Sequence, residues 1–211
     1  MKGKLLVIAK AILTALVILS GAIALPILLR PFYWWHIGPL DIPSWVGLDV
    51  SQIKEAYGEM MDYCMGLSRS FSVGVLPFSE SGAAHFADVR KLFILDLAVF
   101  AVAGIALIAL CATDRKPVRL AGHTPGFWSA VGLGTSFAIV GGLVAIDFDE
   151  AFTVFHKLFF PGKDNWVFDG WTDPVIYMLP AEFFRNCAVL IFAVILIACG
   201  GLLLHDCRKK A

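Results

Sequence analysis

His156 lies in residues 152–162, FTVFHKLFFPG, where one imidazole and one lysine stand among four phenylalanines. On a helix, Asp149, Thr153, His156 and Phe160 fall along one stripe, with Phe152, Phe155 and Phe159 beside it. Thr153 is one turn away; Asp149 is two turns back, beyond direct reach on a straight helix. Burial among rings disfavours the charged imidazole and pushes its pKa below about 6.5. A neutral imidazole in an apolar cleft is a usable general base, and a core histidine satisfied by Thr153 or a backbone carbonyl is an equal alternative. His85 is the second candidate. Ser81, His85 and Asp88 share one helical face, so Asp88 is placed to hold a ring nitrogen and fix the tautomer. A structural hydrogen-bonding role competes with that reading. Arg90 points away from this face and, with Lys91, is expected to reach lipid phosphates.

The remaining polar residues have blander readings. His36 sits in an aromatic belt; His123, in a basic loop, and His205, in a basic tail, are expected at the surface. Asp164 and Asp169 belong to turns, Asp173 caps the helix after it, and Glu182 pairs with Arg185. Asp96, inside an apolar segment, is costly in lipid and is expected to face other helices, with Arg30 or Lys91 as partner. No HExxH, GxSxG or phosphate-binding loop occurs. His85, Asp88 and His156 match no standard metal spacing, and no cofactor is implied. The five cysteines contain no CxxC and form no disulfide framework.

The elements that position these residues are membrane elements. The chain is 59% hydrophobic and only 16% charged, with mean hydropathy +0.79, which excludes an ordinary soluble domain. Its net charge of zero gives no sign of a nucleic-acid partner. Four stretches can cross about 30 Å of hydrocarbon, at about residues 5–29, 92–112, 127–146 and 187–204. The first holds Lys10 near its start, where lysine snorkels. It also holds a nominal A-x-A site, but its apolar run continues past it, as in a retained helix. Lys2, Lys4 and Lys10, then Arg115, Lys116 and Arg119, then Arg208, Lys209 and Lys210 all fall on one side if there are four spans. The positive-inside rule makes both termini cytoplasmic.

The expected fold is therefore all-α and integral to the membrane: one domain, residues 1–211, with four transmembrane helices. Its extracytoplasmic head comes from two outer segments, about 30–91 and 148–186. In the first, RPFYWWHIGPLDIPSW reads as an extended, turning path. Asp49 or Ser51 then caps a helix with a stripe of Ile53, Ala56, Tyr57, Met60, Met61 and Cys64. Residues 68–80 read as a short strand or β-hairpin. Ser79 or Ser81 caps a helix running straight into the second span. In the second outer segment a short amphipathic helix carries His156 and ends at Pro161-Gly162. The glycines of the third span, Gly132, Gly134, Gly141 and Gly142, permit close helix packing or leave room for an acyl chain.

AYGEMMDY, FSESGAAHFADVRKLF and FHKLFFPGKDNWVFDGWTDPVIYMLPAEFF resemble the lipoprotein intramolecular transacylases, small membrane enzymes of Gram-positive bacteria. The resemblance implies transfer of the sn-2 acyl chain of a diacylglyceryl-modified N-terminal cysteine to that cysteine's own α-amino group, giving a lyso-form lipoprotein. It places the functional histidines at His85 and His156 and assigns no other catalytic residue; Asp88, Arg90, Thr153 and Asp149, read from their position near the two histidines, are the candidate supporting residues. It implies a diacylated lipoprotein and membrane lipid as partners. Two other readings stay open from the residues alone: a metal-dependent membrane hydrolase using His85, Asp88 and His156, and a non-enzymatic assembly or sensor protein.

Overall fold

A computed structural model describes residues 2–113 and 118–209 of the chain. Arg115, Lys116 and Lys210, three of the residues behind the expected orientation, lie outside them. The described residues form helices α1 (Lys2–Leu28), α2 (Arg30–Ile37), α3 (Ile42–Val46), α4 (Val50–Cys64) and α5 (Glu80–Thr113), then α6 (Pro125–Ile146), α7 (Phe148–Phe159), α8 (Val175–Met178) and α9 (Ala181–Arg208). No strand occurs among them. Helices α1, α5, α6 and α9 are long and apolar enough to cross a membrane, and the protein is a multi-pass membrane protein. In hydrocarbon only a helix satisfies its own backbone, so long apolar runs of Leu, Ile, Val and Ala leave no other solution.

The chain divides into two compact units. The first comprises the described residues of Met1–Leu25, Asp96–Ile146 and Val189–Ala211. Ala22, Ala130, Leu133, Ile195 and Cys199 form its core, in which the small side chains of Ala22, Ala130 and Cys199 let α1, α6 and α9 approach closely. A Cβ at Gly141 would meet the Phe192 ring at 3.1 Å, so this glycine serves packing; Gly132 and Gly142 face open space. Ile105, Ile108, Leu143 and Ile197 point outward, each more than 60% exposed, a surface suited to hydrocarbon. Two expectations change here. Lys10 is buried rather than snorkelling at an exposed interface. His123 is no ordinary surface residue: its Nδ1 lies 2.8 Å from Asp206 Oδ2, and it stacks on Phe127. The Thr124 N–H donates to the other oxygen of Asp206, which is 1% exposed. His205 is exposed, as expected.

The second unit comprises Pro26–Leu95 and Asp147–Ala188. The segment read as an extended path is instead α2 and α3. Pro31 and Pro43 each sit in a first turn, where proline's missing N–H costs nothing and its fixed φ favours helix. His36 is buried on α2, and its Nδ1–H donates to the Phe32 carbonyl at 2.7 Å. Helix α4 starts in a capping box between Asp49 and Gln52, and its whole expected stripe is buried. Tyr57 of that stripe stacks on Tyr33 at 3.7 Å, and the Tyr33 hydroxyl donates to the Met178 carbonyl at 2.9 Å. Arg30 pairs with Asp62. The expected hairpin is a turn. Glu59 accepts from the Ser72 hydroxyl (2.6 Å) and from the Gly74 N–H (2.8 Å), the latter a backbone donor that a strand ladder would need. Cys64 is buried and free, like the other four cysteines in carrying no disulfide.

Candidate active site

Helix α5 carries His85. Its 34 residues rise about 51 Å, well beyond the about 30 Å of hydrocarbon. Every charged residue of α5 except Asp96 lies in residues 80–91, so the stretch suited to hydrocarbon is residues 92–113, and His85 lies in the charged stretch before it. The start of α5 is pinned. The Ser79 hydroxyl accepts from the Gly82 N–H at 2.9 Å, while Asp173 accepts from the Ser79 N–H (2.8 Å) and hydroxyl (2.7 Å). Asp173 thus braces the cap of α5, not that of α8, whose N-cap is Pro174 without a side-chain bond. A Cβ on Gly82 would fall 2.2 Å from Asp173 Oδ1, so any larger residue displaces that carboxylate.

Helix α7 carries His156. Asp147 caps it by accepting from the Glu150 N–H, with Asp149 and Glu150 in the first turn and His156 and Lys157 in the last. That charge order suits the helix dipole. The helix ends at the expected Pro161-Gly162, where Gly162 takes a φ of 72°.

The two imidazoles meet. Their ring centroids are 5.8 Å apart at 30°, and the residues are 5% and 7% exposed. Phe160 and Phe168 set their edges on His85 at 5.0 and 5.4 Å; Trp166 stacks on His156 at 4.7 Å. His156 Nδ1 lies 2.7 Å from the Phe152 carbonyl. A carbonyl only accepts, so Nδ1 carries the hydrogen and Nε2 the lone pair. Of the two partners expected for this ring, the backbone carbonyl is the one it takes; half-buried Thr153 makes no bond to it, and Asp149 is exposed. Burial lowers the His156 pKa below 6.5, against the pull of the Phe152 carbonyl. Burial lowers that of His85 to about 4; the charges of His156 and Lys163 add to the effect and Asp88 opposes it. Both rings are neutral at pH 7.

Asp88 does not hold His85. His85 Nδ1 is buried without a hydrogen-bond partner. The Asp88 carboxylate accepts from Lys91 at 2.9 Å and from Lys163, with Asn165 at 3.5 Å. Burial works against its ionisation, but these hydrogen bonds outweigh it and hold the pKa down to about 2. Arg90 does not reach outward: it donates to the Ser68 carbonyl at 2.8 Å and lies over the Tyr63 ring. Lys91 is turned to Asp88. Of the two partners expected for Asp96, Arg30 pairs with Asp62 and Lys91 with Asp88. No ion pair joins Glu182 to Arg185 among the described residues. Nor does any group of three or more His, Cys, Asp or Glu side chains gather there to hold a metal.

The residues that sequence reasoning missed are Lys163, Asn165, Trp166 and Phe168. They follow the Pro-Gly turn in KDNWVF, a polar loop unusually rich in large rings, which was their available signal.

The family described as lipoprotein intramolecular transacylase Lit matches residues 8–184. The fold is similar to that of the membrane-integral Lit from Bacillus cereus, with a TM-score of 0.83 and 25% identity over 99% of this chain and 97% of that one. A histidine-to-alanine mutant of that enzyme gives 0.72 and 27% identity over 99% and 95%. No curated protein matches the sequence.

Proposed function

This chain belongs to the lipoprotein intramolecular transacylase family, and on that premise we propose that it moves the sn-2 acyl chain of a diacylglyceryl-modified N-terminal cysteine to the cysteine's own α-amino group. The protein is an enzyme, a lipoprotein intramolecular transacylase. The observation that carries the finer reading is the pair of neutral, mutually facing imidazoles, one of them with its tautomer fixed.

The nucleophile must be the neutral amine, about a tenth of the total at pH 7 for a pKa near 8. As the amine nitrogen attacks the ester carbonyl, His156 Nε2 takes its proton. His85, whose Nδ1 has no protein hydrogen-bond partner, donates an imidazole N–H to the developing oxyanion. Collapse breaks the bond to the glyceryl oxygen, which leaves with the proton returned by His156. One C–N bond forms, one C–O bond breaks and one proton moves from nitrogen to oxygen. Ester-to-amide transfer is downhill, so no nucleotide drives it. Donor and acceptor share one molecule, and orienting them supplies several kcal/mol, below the about 7–11 of ideal cases. The rings of Phe160, Trp166 and Phe168 exclude the water that would hydrolyse the ester.

The basic clusters orient both termini to the cytoplasm, so the site faces outward, where a lipidated N-terminus lies. The test is expression in a host that makes only diacyl lipoproteins, followed by fragmentation of N-terminal lipopeptides. Total mass stays constant while one acyl chain moves from glycerol to nitrogen. Lipopeptides that keep both chains on glycerol, with the protein folded in the membrane, would refute the reading.

A further inference from the structure

The loop after α7 lays one ring on each histidine; Phe168 also stacks on Phe86 of α5, and Asp88 of α5 takes the loop's charged hydrogen bond. Trp166 stacks on His156 and Phe168 edges His85. Between them and α7, Lys163 donates to Asp88, one turn along α5 from His85. The Trp166 indole N–H donates to the Lys163 carbonyl at 3.1 Å, so the lysine's backbone also fixes the ring that covers His156. Asn165 approaches the same carboxylate. Asp88 is buried, and its partner Lys91 is mostly exposed and lies on α5 itself. Lys91 neutralises Asp88 but links α5 to nothing.

We propose that Asp88 and Lys163 are a positioning pair: their clasp holds the loop of residues 161–168 against α5, and so sets the distance between His85 and His156. This rests on the two-histidine reading above, in which a proton moves between substrate and one ring while the other holds the oxyanion. Misplacement by about 1 Å then costs on the order of 100-fold in turnover. Neither residue needs to touch substrate, so the loss falls on kcat and leaves KM near wild type.

The test uses the full-length protein in lipid vesicles with a synthetic diacylglyceryl-cysteinyl peptide. Lys163→Met and Asp88→Asn are expected to lower kcat about 10- to 100-fold with KM little changed. Lys163→Arg restores most of it. Lys91→Met, which removes the same charge from the same carboxylate, keeps wild-type kcat. Hydrogen exchange of the backbone at residues 161–168 supplies a readout independent of turnover: faster in Lys163→Met and Asp88→Asn, unchanged in Lys91→Met. Unchanged exchange in Lys163→Met, or an equal kcat loss in Lys91→Met, overturns the proposal. If exchange responds as expected while the wild type forms no N-acyl product, the clasp stands and the reaction assignment falls.

Discussion

A hydrogen bond from His156 Nδ1 to the Phe152 carbonyl decides which nitrogen of that ring can accept a proton. Its consequence is a pH profile. Because the His156 pKa lies below 6.5, the base stays neutral through that pH, and turnover rises from there towards pH 8 as the amine loses its proton. Activity is therefore expected to climb between pH 6.5 and 8, measured as initial rate in vesicles; a maximum at or below pH 6.5 would contradict the assignment. His85 makes a stability prediction. Its pKa is depressed to about 4, so above 6.5 neither folded nor unfolded state binds a proton there. Between 6.5 and 4 the unfolded state binds one first, and stability falls as pH falls. Asp88 works in a different window: its depressed pKa gives stability above about 3.8 that is lost only towards pH 2. A Tm that drops between pH 6.5 and 4, and drops less in His85→Phe, is the expected result. The stripe carrying His156 was legible because helical periodicity survives in any environment. The partner of Asp88 was not, because Lys163 lies beyond a Pro-Gly turn where periodicity carries no information.

Helices α5 and α7 owe their ends to different devices. Asp147 caps α7 locally, within reach of any sequence reading. The cap of α5 is braced from 94 residues away by Asp173, which no local pattern marks. Gly82→Ala should force Asp173 off Ser79 and weaken the start of the helix carrying His85. Loss of a cap costs about 1 kcal/mol, so Tm is expected to fall by several degrees and turnover with it. An unchanged Tm would show that Asp173 shifts freely and that the brace is not structural. The same contrast explains the rest of the second unit. The buried stripe of α4 followed from spacing, whereas α2 and α3 were read as extended because proline was taken as a breaker and not as a first-turn residue. Residues 68–80 read as a strand or hairpin but turn at Gly74, whose N–H is taken by Glu59.

At the scale of the molecule, composition alone made four membrane crossings the simplest arrangement, and α1, α5, α6 and α9 have the length and apolarity for it. Orientation rests on lysine and arginine placement. A C-terminal reporter that fluoresces only in the cytoplasm is expected to be bright, and one inserted after Gly162 dark; the opposite pattern would turn the site inward. The facing of His85 and His156 could not be read from sequence, since it depends on how α5 and α7 pack and not on either stripe. The most direct test of the account is the position of the acyl chain on lipopeptide from wild type, His85→Ala and His156→Ala, located by fragmentation. Wild type should carry it on nitrogen. Both variants, folded in the membrane, should leave it on glycerol, with rates reduced by about 100-fold or more. N-acylated product at the wild-type rate from both variants would contradict the two-histidine site.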